Sequence, residues 1–360
     1  MSRKKRVKFY FFEIWNKGRV NWSISVKKWY LQRILKFKSI SVLRPDILKK
    51  YSIYPIKIPT PFAVGDVFSY LVKDEKNVLV DTGQYTDEAF ECVRYHLKKQ
   101  GLSIENIDEI WLTHGHPDHY GQAARLADRA GATVFGHPLE RSNFGGNNDA
   151  DLFEAFFQKH SIPEDHIQNM VNQLDWLQQF QLAIEPEWVQ DGELLNSGDL
   201  SFEVVHTPGH APGHISYISD KGIIFGGDLL LGHISTNALI NFDSETDQRN
   251  RSLLQYRESL EWIREQGGLV LPGHGEIIEE TTSVADHHLG EHQKRYQKIK
   301  QLLREEPMTL LDLSYHIFED AIQKGALFLV LSEVLGYLDW GIDEGVIEVD
   351  ESKMEYRITN

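Results

Sequence analysis

The chain has 360 residues, of which 41% are apolar and only one, Cys92, is a cysteine. This length predicts two or more domains, and the single cysteine excludes both a disulfide framework and a cysteine-rich zinc site. No apolar run approaches the roughly 20 residues of a membrane span, and the N-terminus lacks the pattern of a signal peptide, so we expect a cytoplasmic protein.

The formal net charge of −15 is unevenly distributed. Residues 1–50 hold 15 of the 38 Lys and Arg residues but only two of the 53 acidic residues, a balance of +13 that leaves −28 for the rest. The acidic body should repel phosphate backbones, whereas the basic arm should not. The arm also carries aromatic runs and a basic helical pattern, which fit either packing on the acidic body or peripheral contact with a membrane.

From residue 51 the pattern changes to alternating strands and helices. Residues 54–83 predict short strands with a turn at 73–76, and a helix is expected over about 86–100. A buried strand, "IDEIWLTH", is followed by a helix over 121–130 and by the strand "ATVFGH". This order predicts a sheet covered by helices.

Residues 139–192 interrupt the alternation with a polar and aromatic segment of helical character. It is either ordinary helix packing or an insertion that covers a substrate as a lid. Strands that end in glycine-rich loops then return, in "LSFEVVHTPGHAPGHISYIS" and "GIIFGGDLLLG". A helix over about 247–266, a short strand and a long helix over about 281–305 complete this part.

The tail from residue 306 predicts two helices and a hairpin, an order typical of a winged helix. Residues 309–360 contain 11 acidic and three basic residues, so nucleic-acid binding by this tail is disfavoured. Packing or dimerisation is the favoured role, and a homodimer is plausible.

Histidines and aspartates recur beside glycine at the predicted strand ends. A transition metal requires such side chains to converge from rigid strand ends, and glycine and proline allow the sharp turns involved. One such histidine is usually structural, but four clusters, "HGHPDH", "TPGH", "FGGD" and "LPGHG", predict a metal site. The candidate ligands are His114, His116, Asp118, His119, His210, Asp228 and His274.

These motifs, in this order and after an upstream "VLVDTG", resemble those of the metallo-β-lactamase superfamily over about residues 55–280. The resemblance implies an α/β fold, an αββα sandwich with a binuclear site at one edge of its two sheets. The tail looks like the small C-terminal winged-helix-like domain of the two-domain, ribonuclease-like subgroup. We therefore expect an arm over 1–50, a catalytic domain over 51–280 and a C-terminal domain over 281–360.

The resemblance also implies a role for each candidate ligand. The first metal would be held by His114, His116 and His210, and the second by Asp118, His119 and His274. Asp228 would bridge both metals. Asp81, in "VDTG", would steady the ligands by hydrogen bonding from outside the metal shell.

Two divalent ions about 3.5–4 Å apart would lower the pKa of a bridging water and produce a hydroxide nucleophile. Asp118 could orient that hydroxide and collect its proton. Zn is the default metal for histidine-rich sites, although mixed His and Asp ligands also accept Fe or Mn.

The aspartate at position 228 bears on the substrate, because true β-lactamases of this superfamily commonly have cysteine there. Aspartate suits enzymes resembling glyoxalase II, which is a hydroxyacylglutathione hydrolase, and phosphodiesterases. The leading hypothesis is hydrolysis of a small ester or thioester. The alternatives are a metal-dependent endoribonuclease or phosphodiesterase and, in another class, a non-catalytic metal-binding sensor.

Further histidines have less specific settings. His206 is predicted to be a structural or ligand-supporting residue. His137, His233 and His292 are candidates for the substrate pocket, whereas His287 and His288 are predicted to be solvated helix residues.

Overall fold

The computed structural model describes residues 45–147, 149–243 and 246–359. The predictions for residues 1–44 therefore lie outside the described residues. The described residues all belong to one compact unit, and the boundary predicted after residue 50 stays a prediction. Residues 45–50 form a helix whose Leu48 is buried.

The first sheet has six strands, β1 to β6, which pair in chain order. They are Ile53–Ile58, Val67–Lys73, Asn77–Val80, Glu109–Trp111, Thr133–Gly136 and Glu187–Trp188. Strands β1 to β3 are antiparallel, and strands β3 to β6 are parallel. The predicted turn at residues 73–76 joins β2 to β3, as expected.

The second sheet has five strands in the order β11-β10-β9-β8-β7. In chain order they are Leu194–Asn196, Ser201–His206, Ile215–Ser219, Ile223–Gly227 and Leu269–Pro272. Neighbouring strands are antiparallel except β10 and β11, which are parallel. Strands β8, β10 and β11 therefore run in the same direction, and their carboxyl ends reach one edge of the sheet.

Aromatic side chains pack the two sheets face to face. The ring of Trp111 in β4 lies 5.3 Å from the rings of Phe202 in β8 and Tyr217 in β9. The Tyr217 hydroxyl also donates a hydrogen bond to the carbonyl of Leu112 across the interface. Large rings with a satisfied polar end thus fill the space between the sheets.

Helices cover the outer face of each sheet. Numbered α1 to α11, they are Pro45–Lys50, Asp87–Lys99, Pro117–Tyr120, Ala123–Ala130, Arg141–Phe144, Ala150–Lys159, Glu164–Leu177, Ser252–Gln266, Thr281–Glu305, Leu310–Ile322 and Leu327–Asp343. Val93 of α2 and Leu126 of α4 share a core with the first sheet, and Leu260 of α8 shares a second core with the other sheet. The layers are therefore those of the expected αββα sandwich.

Helix α2 illustrates how local sequence fixes an element. The side chain of Thr86 caps it by accepting a hydrogen bond from the Ala89 amide, and Asp87 and Glu88 occupy its first turn. Such a cap satisfies a free amide, and the acidic residues complement the positive end of the helix dipole. The helix predicted over 86–100 is confirmed.

The tail contains α10, α11 and a three-stranded sheet of β12 (Met308–Thr309), β13 (Ile347–Asp350) and β14 (Glu355–Ile358). The predicted order of helix, helix and hairpin is present. However, its apolar side chains share one core with the second sheet, because α11 packs against α8. The described residues of the tail therefore pack on the second sheet, and the C-terminal domain expected over 281–360 stays a prediction.

The segment 139–192 has the predicted helical character in α5, α6 and α7, but it ends in β6 of the first sheet. Phe153 and Phe157 of α6 pack their rings against Phe328 of α11, with centroids 5.3 and 6.2 Å apart. The segment is thus anchored on the tail. Among the described residues, no helix is both long and apolar enough to cross a membrane.

Candidate metal centre

The four motifs identified in the sequence meet at one edge of the sandwich. Each follows the carboxyl end of a strand: "THGHPDH" follows β4, "TPGH" follows β8, Asp228 follows β10 and "GHG" follows β11. Pro117 begins the short helix α3, which carries Asp118 and His119. Rigid strand ends therefore position every predicted ligand.

The seven predicted ligand residues form three overlapping groups, in each of which the ligand atoms lie within 4.8 Å of one another. The first group is His114, His116 and His210, and the second group is Asp118, His119 and His274. A third set, His114, His119 and Asp228, connects them. The structure thus brings together the residues that the sequence assigned to two neighbouring sites.

Asp228 occupies the centre of this arrangement. Its Oδ1 lies 3.5 Å from Nε2 of His119, and its Oδ2 lies 3.5 Å from Nε2 of His210 and 3.7 Å from Nε2 of His274. One carboxylate therefore faces imidazoles of both groups. This is the position that a bridging ligand requires.

Hydrogen bonds from outside the cluster fix the orientation of its imidazoles. Nδ1 of His119 contacts Asp81 Oδ2 at 2.8 Å, Nδ1 of His210 contacts the Asn237 carbonyl at 2.9 Å, and Nδ1 of His274 contacts the Asp66 carbonyl at 2.9 Å. Because each acceptor takes a hydrogen bond from Nδ1, Nε2 is the ring nitrogen that is left to face the cluster.

The inner atoms of the cluster are the ones that lack partners. Nε2 of His119, His210 and His274 and Oδ1 of Asp228 are buried without a hydrogen-bond partner among the described residues. Buried polar atoms are normally satisfied, so this concentration of unpartnered nitrogen and oxygen atoms at one point needs an explanation. Nitrogen and oxygen lone pairs that converge in this way fit a divalent metal site.

The electrostatics of the cluster also suit a cation. Burial, followed by the effect of the neighbouring His210, lowers the pKa of His116 to about 3. Burial alone would raise the pKa of Asp228, but His274 and His119 hold it well below its usual value. Conversely, Asp228 and Asp81 raise the pKa of His119 well above normal, although its burial opposes this. Asp228 is thus ionised and His116 neutral, the forms that bind metals, whereas His119 would release a proton when a metal binds.

Asp81 contacts both His119 and the start of the loop that carries the first motif. Its Oδ1 accepts the Thr113 amide at 2.9 Å, and its Oδ2 accepts the Thr113 hydroxyl at 2.8 Å in addition to His119. Asp81 therefore links β3 to the loop after β4, and it fixes the orientation of the predicted ligand His119 through Nδ1.

Two of the remaining histidines form a stacked pair. The rings of His137 and His206 lie 4.5 Å apart and nearly parallel, and Nε2 of His206 bonds to the Pro212 carbonyl in the loop that carries His210. His137 is buried, and burial, followed by the effect of His206, lowers its pKa to about 4. This pair lies beside the His210 loop, where it supports the loop.

The other two candidate pocket residues, His233 and His292, lie in different environments, one exposed and one buried. His233 is exposed, and its ring packs against Gly275, the residue after His274. His292 is fully buried between Tyr256 and Tyr337, so the substrate-binding role predicted for it is not supported. His288 was expected to be solvated, but it is buried, and its Nε2 bonds to the Leu231 carbonyl at 2.8 Å.

Sequence reasoning missed two buried residues that hold the cluster. Nε2 of His214 accepts the amide of Asp228 at 3.1 Å, and its Nδ1 contacts the Thr207 hydroxyl at 2.9 Å. The second "GH" of "TPGHAPGH" was the available signal for His214. Glu140 contacts the backbone of two motif loops, and only its proximity to His137 in the chain could have suggested it.

Comparisons with known proteins identify the family of the chain. Residues 63–287 match the family described as the metallo-beta-lactamase superfamily. The chain is 31% identical to a probable metallo-hydrolase, YqjP, of Bacillus subtilis over 309 residues, 84% of this chain and 93% of the relative. It is 32% identical to the hydroxyacylglutathione hydrolase GloC of Haemophilus influenzae over 49% of this chain and 73% of the relative.

A solved structure shares the fold over nearly the whole described chain. The metallo-beta-lactamase family protein TTHA1429 of Thermus thermophilus has a TM-score of 0.74 at 26% identity, covering 85% of this chain and 98% of that one. Since the family match spans more than half of the chain, the protein belongs to the metallo-β-lactamase superfamily and is a metal-dependent hydrolase.

Proposed function

We propose that the protein is a binuclear hydrolase that acts on a small ester or thioester. The observation that carries this proposal is the cluster of inward-facing, unpartnered ligand atoms, which divides into two groups joined by Asp228. The first group would hold one cation and the second group the other. Two bound divalent cations would lower the pKa of a water molecule between them and polarise the acyl oxygen of the substrate.

The protein's own residues would bind, orient and move protons around that chemistry. Asp118 is buried, and its Oδ2 lies 3.2 Å from Nε2 of His274. Its burial opposes ionisation, yet His119 and His274 lower its pKa to about 2. An ionised carboxylate in this position can accept a hydrogen bond from the attacking water and orient it. That Asp118 also collects the proton of this water is part of the proposal.

An acyl substrate is supported by chemistry and by similarity. Aspartate at position 228 can span two metals, and the chain resembles a hydroxyacylglutathione hydrolase over 182 residues. We propose that the exposed ring of His233, which lies beside Gly275 in the loop that carries His274, contacts a bound substrate. Zn is the metal that the histidine-rich ligand set favours, and Fe and Mn are the alternatives.

The test is turnover by protein reconstituted separately with Zn, Mn and Fe. We expect two metal ions per chain by elemental analysis and hydrolysis of glutathione thioesters or p-nitrophenyl esters. His116→Ala should lose metal from the first group and lower kcat/KM by at least about 100-fold, because it removes a ligand. The control is His287→Ala, which changes an exposed histidine on α9 and should leave both quantities unchanged.

The same assay addresses the alternative reaction. Bis(p-nitrophenyl) phosphate and a short RNA are included with the esters and thioesters. Protein that carries two metals, cleaves the phosphodiesters and leaves every acyl substrate intact would replace the acyl proposal with a phosphodiesterase. Protein that carries two metals but cleaves none of them would contradict a hydrolytic role on these substrate classes.

A further inference from the structure

We propose that Glu140 is a positioning residue that holds together the two loops bearing the first group. This inference rests on the proposed metal site. Glu140 ends a short turn, Pro138–Glu140, that follows β5, and its side chain is fully buried. The first group itself comes from elsewhere: the loop after β4 and the loop after β8.

The Glu140 carboxylate contacts the backbone of both loops. Its Oε2 accepts the Gly115 amide at 3.1 Å, and its Oε1 accepts the Gly213 amide at 2.7 Å. Oε2 also accepts a hydrogen bond from Nδ2 of Asn143 at 2.7 Å, which orients the carboxylate. Hydrogen bonds between a charged acceptor and amides in a buried setting are among the stronger ones in proteins.

The two amides lie close to the ligands along the chain. Gly115 separates His114 from His116, and Gly213 follows His210 by three residues. One carboxylate thus bridges the backbones that carry all three members of the first group. A shift of either loop would move His210 away from His114 and His116. The distance between the loops therefore decides whether the three side chains can bind one cation.

Both glycines are needed for this close approach. A Cβ added at Gly115 would lie 2.5 Å from Oε2 of Glu140, and one added at Gly213 would lie 2.9 Å from Cγ of Glu140. Any side chain at either position would push the carboxylate away. The glycines of these two motifs and Glu140 therefore form one structural unit.

Glu140 positions the first group, as Asp81 positions the second. Asp81 bonds directly to the imidazole of His119, whereas Glu140 bonds to no ligand side chain and acts only through the backbone. Removing Glu140 should therefore alter metal affinity without changing the protonation of any ligand. This separates its role from that of a metal ligand or a proton carrier.

The test is metal binding by Glu140→Gln, measured without substrate. The amide group of glutamine would place N–H donors against one of the two backbone amides, so one loop loses its attachment. We expect the affinity of the first group to fall about 10- to 100-fold, with the second group retained, a size typical for supports of metal ligands. Competition with a chelator and the absorption spectrum of the Co²⁺-loaded protein report the two sites separately.

Glu109→Gln is the matched control. Glu109 is also a buried glutamate with two partners, Lys76 and the indole of Trp111, but it lies at the start of β4, away from the ligand loops. It should lower thermal stability without weakening either metal site. Glu140→Asp keeps the charge but shortens the reach and should give an intermediate loss of affinity, which tests the inference even if Glu140→Gln does not fold.

Wild-type affinity for both metals in Glu140→Asp or in folded Glu140→Gln would overturn the inference. That result leaves the proposed function standing if the wild-type protein hydrolyses its acyl substrates. Conversely, the variants could lose the first metal selectively while the wild-type protein cleaves no ester or thioester. That result would support the positioning role of Glu140 and contradict the proposed function.

Discussion

At the scale of single residues, the candidate site depends on which ring nitrogen carries the proton. Asp81 decides this for His119, because its carboxylate accepts the proton on Nδ1 and leaves Nε2 free to face the cluster. The backbone at Asp81 has a positive φ of 54°, a conformation that asparagine also tolerates. Asp81→Asn is therefore a change in hydrogen bonding with little backbone cost.

We expect Asp81→Asn to weaken the second group. The asparagine amide can donate to Nδ1 of His119, which moves the imidazole proton to Nε2 and points it at the metal position. The affinity of the second group should fall about 10- to 100-fold while the first group retains its metal. Chelator competition measures this loss. Asp108→Asn, at the opposite end of β4, is the control; equal affinities in both variants would show that Asp81 does not set the tautomer.

At the scale of elements, a loop and a helix connect the tail to the first group. The Asn237 carbonyl accepts the Nδ1 proton of His210, while the Asn237 side chain donates to the Leu329 carbonyl of α11 at 2.9 Å. Nearby, the Ile240 amide donates to the Ser332 hydroxyl at 3.2 Å. Helix α11 thus holds the loop that orients a predicted metal ligand.

Asn237→Asp should loosen this connection, because a carboxylate replaces the donor that faces the Leu329 carbonyl. The loop would move away from α11, and the affinity of the first group should fall about tenfold. Ser332→Ala removes the hydrogen bonds of its hydroxyl with the Ile240 amide and the Phe328 carbonyl, leaves the Asn237 bond in place, and should change stability but not metal binding. Isothermal titration of the metal-stripped proteins compares them, and equal metal affinities for Asn237→Asp and Ser332→Ala would refute the connection.

The elements and the clustering of the candidate ligands were largely predictable because both depend on short-range patterns. The strand ends and the motifs after them are encoded within a few residues, as in "THGHPDH". The supports were not predictable in the same way: Glu140 contacts Gly213, 73 residues away, and Asn237 contacts Leu329, 92 residues away. The apolar face of α11 predicted burial, but its sequence could not specify whether α8 or a second chain would cover it.

At the scale of the whole molecule, His292 lies in the packing between the catalytic half and the tail. Its ring is 5.8 Å from that of Tyr256 on α8 and 6.2 Å from that of Tyr337 on α11. Neither of its nitrogens has a hydrogen-bond partner among the described residues. Burial, followed by the positive charges of Arg257 and Arg295, lowers its pKa to about 3.

This lowered pKa makes the stability of the molecule depend on pH with a definite sign. Near pH 5 the unfolded chain protonates His292, whereas the folded protein does not, so the free energy of unfolding falls as the pH drops below about 6.5. From pH 7 to pH 5 this group should account for a loss of about 2 kcal/mol. His292→Leu, which keeps the volume and removes the titrating group, should escape that part of the loss.

Urea unfolding of metal-stripped protein at pH 7 and pH 5 measures this difference between the wild type and His292→Leu. The titration of the metal ligands cancels from the comparison because both proteins contain them. His287→Leu, at an exposed position of α9, should follow the wild type. If the wild type and His292→Leu lose equal stability between the two pH values, the folded protein protonates His292 as readily as the unfolded chain does.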